Sequence, residues 1–381
     1  MIISFYMLGF RCKKIRHYLL CAYLDAGLRR YIFCYSNHGE HLKNKIMQTL
    51  EYTDEVARAT APIFEKLDGQ YKEEHWKTLA PYIYEINRLK KEKNAVILAH
   101  NYMTPDIFYG VGDITGDSLK LAQVAASSDA DMIIQCGVHF MAETSKILCP
   151  EKKVIIPDMD AGCSLAESIT AEDVRKLKAD NPGVPVVTYV NTSAEVKAES
   201  DVCCTSSNAL KIVNALGAQG HDTVIMTPDM YLAQNVANES DVNVLFWEGS
   251  CMVHERFTAE DVRRMRQQHG PDVQVLAHPE CPPEVMAEAD FSGSTSQIDD
   301  YIKEQQPPKA ILLTECSMSG NIAAQNPEVK LMGTCQMCPH MKRISLPKIL
   351  KALQTEEPEV HVDPEIAARA KKAVDKMLEL S

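Results

Sequence analysis

A six-residue string, TAEDVR, occurs twice in this chain, at residues 170–175 and at 258–263, an offset of 88 residues. Each copy is followed by a charged, helix-like stretch and then by a run rich in β-branched residues, at 185–191 and at 273–280. The run at 95–102 follows a helix-like segment at 82–94 in the same way, without the hexapeptide, and a further strand of this unit is predicted at 131–143. A period of this length is too long for a solenoid and fits one small α/β layer unit. The sequence therefore predicts three copies of one α/β unit.

Further apolar runs alternate with helical segments in each unit, as strands alternate with crossover helices in parallel sheets. We predict an α/β protein with three similar three-layer α/β/α domains and parallel sheets around a pseudo-threefold axis. Ligands of such sheets bind at the carboxyl ends of the strands. The predicted segments are an N-terminal extension at 1–46, a helical lead-in at 47–80, α/β repeats at 81–169, 170–257 and 258–345, and a C-terminal helical segment at 346–381.

Residues 1–46 differ in charge from the rest of the chain. They carry eight Lys/Arg and two Asp/Glu, a net charge of +6, whereas the whole chain carries −12 and the remainder therefore −18. We hypothesise that translation begins at Met47 or that 1–46 is a non-essential extension without counterpart in related proteins. The alternative is an ordinary N-terminal helix that packs on the body.

Composition and charge exclude several classes of protein. An apolar fraction of 45% with 24% charged residues excludes disordered and collagen-like chains. The net charge of −12 argues against binding to nucleic acid or to an acidic membrane surface. We find no export signal and no apolar run of about 18 residues, the length that a membrane span requires. We expect a cytoplasmic protein, in which the 13 cysteines are buried, metal-binding or catalytic.

Three cysteines follow the period of the repeat. Cys163 and Cys251 are 88 residues apart, and Cys251 and Cys338 are 87 apart. Equivalent positions of three units can meet at a pseudo-threefold axis. Three thiolates bind a soft metal or an iron–sulfur cluster, and three is one short of the four that close an electron-transfer cluster. An iron with an open position could polarise a substrate oxygen.

Two further sets of residues follow the same period. Polar residues at predicted strand tips precede the three cysteines by 63, 60 and 60 residues, and they are His100, Asn191 and His278. Hydroxyl residues that open predicted helices are spaced by 88 and 89 residues, and they are Ser118, Ser206 and Thr295. A capped helix N-terminus presents free N–H groups that suit a carboxylate or phosphate. We predict one central pocket for substrates with several anionic groups.

The remaining cysteines have simpler explanations. Small buried apolar positions are expected for Cys12, Cys21, Cys34, Cys136, Cys149 and Cys316. The pair Cys203 and Cys204 lies in a predicted strand, where neighbouring side chains point to opposite faces and do not share a ligand. The CxxC string at 335–338 alone fits half a zinc knuckle or a redox pair. Zinc is disfavoured because no second pair complements it.

From about residue 80 to its end, the chain resembles the quinolinate synthase (NadA) family. The strings that carry the resemblance include ILAHNY (97–102), GDSLKLA (116–122), VTYVNTSAEVKA (187–198), CTSSNA (204–209), GSCMVHE (249–255), AHPECP (277–282) and CQMCPHM (335–341). The resemblance implies a [4Fe–4S] enzyme of NAD biosynthesis that condenses iminoaspartate with dihydroxyacetone phosphate, a transferase that releases phosphate and water. It also implies an L-aspartate oxidase or aspartate dehydrogenase as the source of iminoaspartate.

The resemblance assigns roles to individual residues. Its cluster ligands correspond to Cys163, Cys251 and Cys338, and the 87-residue spacing favours Cys338 over Cys335, whose own role stays open. The implied catalytic residues are Glu280, Tyr102, His100, His278 and His254. The implied substrate-binding residues are His100, Ser118, Tyr189, Asn191, Ser206, His278, Glu280, Ser294 and Thr295. We expect Glu280 to act as an acid–base group and Tyr102, assisted by His100, to relay protons.

Two other functions are compatible with three cysteines in phase. A simple hydro-lyase would use the open iron to dehydrate a hydroxy acid without any condensation. A non-catalytic iron–sulfur sensor or electron carrier would need a fourth protein ligand or a partner surface, and no fourth cysteine is in phase with the repeat.

Overall fold

The computed structural model describes residues 50–332, 334 and 336–381, together with the backbones of two short strands nearer the N-terminus. The chain divides into two compact units, Met1–Glu51 and Tyr52–Ser381. In the first unit, strands β1 (Leu20–Ala26) and β2 (Arg29–Tyr35) pair antiparallel. The described part of the 1–46 segment is thus extended rather than helical, unlike the helix of the alternative hypothesis. Cys12, Cys21, Cys34 and Cys335 lie outside the described side chains.

The second unit begins with two helices. Helix α1 spans Asp54–Lys66, and helix α2 spans Glu73–Glu92, which is longer at its start than the helix predicted at 82–94. The Thr53 side chain accepts a hydrogen bond from the Val56 N–H at 3.3 Å, which caps α1. These helices precede the first of three repeats.

Each repeat contains four strands, separated by helices. The first comprises β3 (Ala95–His100), α3 (Pro105–Phe108), β4 (Ile114–Gly116), α4 (Ser118–Ser127), β5 (Met132–Cys136), α5 (His139–Leu148), β6 (Lys153–Ile155) and α6 (Ser164–Glu167). The second comprises α7 (Ala171–Asp180), β7 (Val186–Tyr189), α8 (Ala194–Glu199), β8 (Val202–Cys204), α9 (Ala209–Ala218), β9 (Thr223–Thr227), α10 (Met230–Glu239) and β10 (Asn243–Phe246).

The third repeat continues this order, and two helices follow it. It comprises α11 (Ala259–His269), β11 (Gln274–Ala277), α12 (Pro283–Met286), β12 (Phe291–Ser292), α13 (Thr295–Gln305), β13 (Lys309–Leu313), α14 (Ser317–Ala323) and β14 (Lys330–Met332). The closing helices are α15 (Leu346–Thr355) and α16 (Pro364–Leu380). None of the described helices is both long and apolar enough to cross a membrane.

The three sheets have the same topology. All their strand pairs are parallel, and their strand orders are β4-β3-β5-β6, β8-β7-β9-β10 and β12-β11-β13-β14. The α/β class with three similar parallel-sheet domains is therefore confirmed. The first strand of each sheet is central, so its carboxyl end lies beside the ends of two neighbours.

The third sheet shows why each domain has three layers. Alternate residues of its central strands are buried on opposite faces. One face packs Val275 with Val262 and Val285 of α11 and α12, whereas the other packs Leu276 with Ile298 and other residues of α13 and α14. Helices therefore cover both faces of this sheet.

The repeated hexapeptide is a helix start. Thr170 and Thr258 each cap their helix, and the aspartate three residues later accepts a hydrogen bond from the cap N–H, at 2.9 Å for Asp173 and 3.2 Å for Asp261. These are capping boxes, in which two free donors are satisfied reciprocally. The sequence repeat is thus explained by local hydrogen bonding at equivalent helix starts.

Two local predictions were wrong. The strand predicted across 131–143 ends at Cys136, because Gly137 follows it and α5 begins at His139. Cys316 is half-buried rather than buried, since it lies at the start of α14, whereas Cys136 and Cys149 are buried as predicted.

Candidate active site

One cavity is lined by residues from all three repeats. Its walls include the turns that follow the central strands β3, β7 and β11, the edge at which parallel sheets bind ligands. All but one of the residues singled out from the sequence line it, namely Cys163, Cys251, Cys338, His100, Tyr102, Ser118, Tyr189, Asn191, Ser206, His254, His278, Glu280 and Thr295. The structure thus brings together residues that are far apart in the sequence.

Ser294 is the exception, because it does not belong to the lining of the cavity. Its side chain is buried, accepts a hydrogen bond from the Gln297 N–H at 3.3 Å and lies 3.4 Å from Asp117 Oδ2. Ser294 therefore caps α13 and fixes the position of its neighbour Thr295, which does line the cavity.

The predicted helix-opening hydroxyls are not themselves the caps. Ser118 and Thr295 are the first residues of α4 and α13, which are capped by Asp117 and Ser294, and Ser206 precedes Asn208, the cap residue of α9. The prediction misplaced these caps by one or two residues, because each hydroxyl has a second residue nearby that is also able to cap. First-turn N–H groups still face this edge of the sheets.

Each of the three cysteines precedes a short helical turn whose backbone N–H groups donate to its sulfur. Leu165 and Ala166 donate to Cys163, His254 donates to Cys251, and His340 and Met341 donate to Cys338. Such donors stabilise the thiolate, which is the form that binds metals.

Burial, in contrast to these donors, disfavours the thiolate form of the three cysteines. It raises the pKa of Cys163 to about 12 and also raises the pKa of Cys251 and Cys338. Half-buried sulfurs that line a common cavity and are surrounded by hydrogen-bond donors fit a soft metal cluster, since its positive charge favours the deprotonated form.

A continuous hydrogen-bond network runs beside the cysteines. Glu280 Oε1 accepts a hydrogen bond from the Tyr189 hydroxyl at 2.6 Å, and Glu280 Oε2 lies 2.8 Å from His254 Nδ1. His254 Nε2 is 3.0 Å from Thr314 Oγ1, which is in turn 2.6 Å from the Tyr102 hydroxyl. Each of these five side chains can donate or accept a proton along this path.

The titration behaviour of the network follows from burial and from mutual contact. Burial alone would raise the pKa of Glu280, but His254 and His278, with hydrogen bonds from His254 and Tyr189, bring that pKa below its usual range. Burial, with the charge of Glu280, raises the pKa of Tyr102 and Tyr189 well above 10. Glu280 is therefore the anionic group of this network at neutral pH.

Two histidines at strand tips are held neutral. Burial lowers the pKa of His100 to about 4 and that of His278 to about 3. The His278 ring stacks on His254 with 4.6 Å between ring centroids. At neutral pH both strand-tip imidazoles are thus available as hydrogen-bond donors or acceptors without adding charge.

A smaller group of donors could bind a single metal ion. Cys251 Sγ, His254 Nδ1 and a Glu280 oxygen all lie within 4.8 Å of one another. Cys251 belongs both to this group and to the three cysteines, so the thiol set and the acid–base network are in direct contact.

The sequence interpretation missed Thr314, which is buried and joins Tyr102 to His254. A usable signal was present, because Thr227 ends β9 and Thr314 directly follows β13, with 87 residues between them. Asp117 and Thr205 also line the cavity and were not singled out.

Fold and site together define a class of protein, a triplicated α/β enzyme whose three repeats share one cysteine- and carboxylate-lined cavity. A family model described as quinolinate synthetase A protein (NadA) matches residues 84–379. The chain therefore belongs to the NadA family, as the resemblance predicted.

Curated relatives agree with this assignment. Quinolinate synthase of Caulobacter vibrioides (strain NA1000 / CB15N) is 56% identical over 330 residues, which cover 86% of this chain and 90% of the relative. Quinolinate synthase of Sinorhizobium medicae is 56% identical over 331 residues, covering 87% and 91%. Quinolinate synthase of Xylella fastidiosa (strain 9a5c) is 59% identical over 296 residues, covering 78% and 86%.

Proposed function

We propose that this chain is a quinolinate synthase, which condenses iminoaspartate with dihydroxyacetone phosphate and releases quinolinate, phosphate and water in the biosynthesis of NAD. Family membership and the names of the relatives support this function. The observation that carries it is the meeting of Cys163, Cys251 and Cys338 with the Glu280 network in one cavity. An L-aspartate oxidase or aspartate dehydrogenase would supply the iminoaspartate.

The proposed cofactor is a [4Fe–4S] cluster bound by the same three cysteines. The three sulfurs that line the cavity and their backbone N–H donors support this assignment. When bound, a cluster with three protein thiolates supplies an iron with an open position, a Lewis acid that polarises a substrate oxygen.

Anchoring of the substrates is assigned to the polar edge of the cavity. Ser118 and Thr295 lie at the first positions of helices of ten and eleven residues, whose free N–H groups and dipoles favour a phosphate or carboxylate. Asn191 Oδ1 is buried and has no hydrogen-bond partner among the described residues, so this amide is available to a substrate. Ser206 lines the same edge. Bound anions at these positions would orient both substrates for bond formation.

Proton transfer is assigned to the network around Glu280. The Glu280 carboxylate is anionic and would accept a proton from the substrate carbon or nitrogen, while the Tyr189 hydroxyl orients it. His254 would then carry the proton between Glu280 at Nδ1 and Thr314 at Nε2. Tyr102, hydrogen-bonded to Thr314, would deliver it to a departing hydroxyl. The neutral His100 and His278 would hydrogen-bond substrate oxygens at the strand tips.

The proposed domain organisation keeps the boundaries of the sequence analysis. Repeats at 81–169, 170–257 and 258–345 each contribute one cysteine, between a lead-in at 47–80 and a C-terminal segment at 346–381. The family match begins at residue 84, and residues 1–46 are proposed to be dispensable. Full activity of a chain that begins at Met47 would support this, and its inactivity would contradict it.

Anaerobic reconstitution with iron and sulfide, followed by a product assay, tests the proposed function. We expect quinolinate only when both iminoaspartate and dihydroxyacetone phosphate are present. Glu280→Gln should retain the visible absorption of the cluster and lose turnover by about 100-fold, the scale of a general acid–base group. Dehydration of a hydroxy acid without condensation would indicate a hydro-lyase instead.

A further inference from the structure

A buried asparagine of the third repeat binds the active-site turn of the first. Asn321 lies in α14, and its Nδ2 donates to the carbonyl oxygens of Asn101 at 3.0 Å and Met103 at 2.8 Å. These carbonyls lie on either side of Tyr102. The carbonyl of Tyr102 itself accepts a hydrogen bond from Lys342 Nζ at 2.8 Å, also from the third repeat. The backbone around Tyr102 is thus fixed by its neighbouring repeat.

A second asparagine forms the same arrangement one repeat earlier. Asn235 lies in α10, and its Nδ2 donates to the carbonyl oxygens of Pro279 at 2.8 Å and Cys281 at 2.9 Å. These carbonyls lie on either side of Glu280. One amide group of the second repeat therefore holds the turn of the third repeat that carries the proposed acid–base residue.

The two asparagines are equivalent by the pseudo-threefold repeat. Asn235 and Asn321 are 86 residues apart, and each lies in the helix that follows the third strand of its repeat. Tyr102 and Glu280 each lie two residues after the strand-tip histidines His100 and His278. The same contact therefore occurs twice, at equivalent positions between successive repeats of the fold.

The interface between the first and second repeats uses different side chains at the equivalent position. Glu143 of α5, in the first repeat, accepts a hydrogen bond from the Ala194 N–H at 3.1 Å, and Ala194 follows the turn that carries Asn191. The fully buried Lys197 of α8 donates to the carbonyl oxygen of Thr192 in that turn. Helices α10 and α14 thus bind the active-site turn of the next repeat, whereas α5 binds the residue directly after that turn, and the three contacts form a ring.

We propose that Asn235 and Asn321 are positioning residues, which aim Glu280 and Tyr102 into the cavity by fixing the backbone on both sides of each. Both asparagines are buried, and neither lines the cavity, so they act through the turns they bind. Carbonyls two residues apart that share one amide group cannot rotate independently. Without that amide, the side chain between them loses its fixed direction, and small displacements of reacting groups cost large factors in rate. This inference rests on the proposed function.

A purely structural role is the competing explanation, since any buried hydrogen bond stabilises the fold. Asn326 provides a matched control. It is buried just after α14, and among the described residues its side-chain amide bonds only to Ile322 and Gln306 of its own repeat. Asn326→Asp should therefore carry the general cost of removing a buried amide without affecting either active-site turn.

The test compares kcat and KM of the reconstituted full chain with those of Asn235→Asp and Asn321→Asp, which keep the shape and remove the donors. We expect kcat to fall by about 10- to 100-fold with KM within about threefold, because the reacting groups are misaligned. Asn326→Asp should keep the kcat of the unaltered protein. The visible absorption of the cluster should be unchanged in all three variants.

Double variants separate positioning from general damage. In a chain that already carries Tyr102→Phe, Asn321→Asp should lower kcat little further. In a chain that carries Glu280→Gln, it should lower kcat by the same factor as in the unaltered protein. Asn235→Asp should show the reverse pattern. Equal, multiplicative losses in all four combinations would overturn the proposal.

Hydrogen exchange gives a readout that needs no activity. Asn321→Asp should accelerate exchange at residues 100–104 and Asn235→Asp at 278–282, each without the other, whereas a general loss of stability would accelerate both. If a variant fails to fold, Asn→Ser at the same position retains one donor and serves in its place. Absence of quinolinate from the unaltered protein would refute the proposed function, and unchanged exchange at both turns would refute the positioning role separately.

Discussion

The Tyr189 hydroxyl donates a 2.6 Å hydrogen bond to the Glu280 carboxylate, although the two residues are 91 positions apart in different repeats. Tyr189 ends the central strand of the second sheet, and Glu280 lies just beyond the central strand of the third. This contact exists only because the strand ends of the repeats converge on one cavity. It links the Glu280 carboxylate, the anion of the hydrogen-bond network, to a residue of the second repeat that lines the same cavity.

Replacement of Tyr189 by Phe should therefore weaken catalysis without removing the cofactor. Because the lost bond is to a charged acceptor, worth about 1.5–3 kcal/mol, we expect kcat to fall by about 10- to 100-fold. Steady-state kinetics and the cluster spectrum measure both effects. Tyr301→Phe is the control, since its hydroxyl bonds to Gln274, outside the network. Equal kinetics of Tyr189→Phe and the unaltered protein would contradict the assignment.

Serine at any one of positions 163, 251 and 338 should abolish the broad visible absorption of the reconstituted protein together with its activity. Each thiolate supplies one of three bonds to the proposed cluster, and a hydroxyl is a poor ligand for iron of this kind. Cys149→Ser is the matched control, because Cys149 is buried and donates to the Ala125 carbonyl instead. A colourless variant at position 251 with full activity would exclude the cluster mechanism.

Thr314→Val should interrupt the path between Tyr102 and His254. The substitution keeps the shape of the side chain and removes the hydroxyl, so we expect kcat to fall by about tenfold or more while KM changes little. Thr227→Val provides the comparison at the equivalent strand end, where the hydroxyl bonds to Thr188 at 3.0 Å, away from the cavity. A loss of activity only in the Thr227 variant would show that Thr314 has no part in the reaction.

Glu356 should contribute stability that depends on pH. Hydrogen bonds from Lys153 and Lys93 lower the pKa of Glu356 from 4.5 to about 2. A depressed carboxyl pKa means that the stabilisation is complete above about pH 4.5 and is lost as the pH falls towards 2. Glu356→Gln should cost about 1 kcal/mol at pH 7, the upper range for exposed ion pairs.

Chemical denaturation between pH 7 and pH 3.5 measures this effect, and the difference between the two proteins should narrow as the pH falls. Glu357→Gln is the control, because no ion pair of Glu357 is found among the described residues. A difference that stays constant over this range would show that the ion pairs of Glu356 do not contribute.

The fold could be predicted from the sequence because its signals are local and repeated. TAEDVR encodes a capping box at each occurrence, and the β-branched runs encode the central strands, so the period of 88 residues reveals three equal units. The exact starts of helices were less predictable. At Ser118 and Thr295 the preceding Asp117 and Ser294 also have side chains that accept from backbone N–H groups, and these are the residues that cap.

The site could be predicted only where its residues are themselves periodic. Cys163, Cys251 and Cys338 were found because they occupy equivalent turns. The 87-residue spacing from Thr227 marks Thr314 as a strand end but does not identify its partner Tyr102, which is 212 residues away. Asn321 was missed because the carbonyls it binds belong to another repeat. Neither an amide nor a hydroxyl carries a local pattern that tells which distant backbone or side chain it will meet.

The order of the cysteines along the chain has a consequence for biogenesis. One sulfur comes from each repeat, and the last, at residue 338, is translated only after the first two repeats and most of the third. A nascent chain shorter than 338 residues therefore lacks the complete proposed ligand set, so the proposed cluster could be held by all three thiolates only after most of the chain has been made. Binding of the proposed cluster would thus depend on the synthesis of all three repeats.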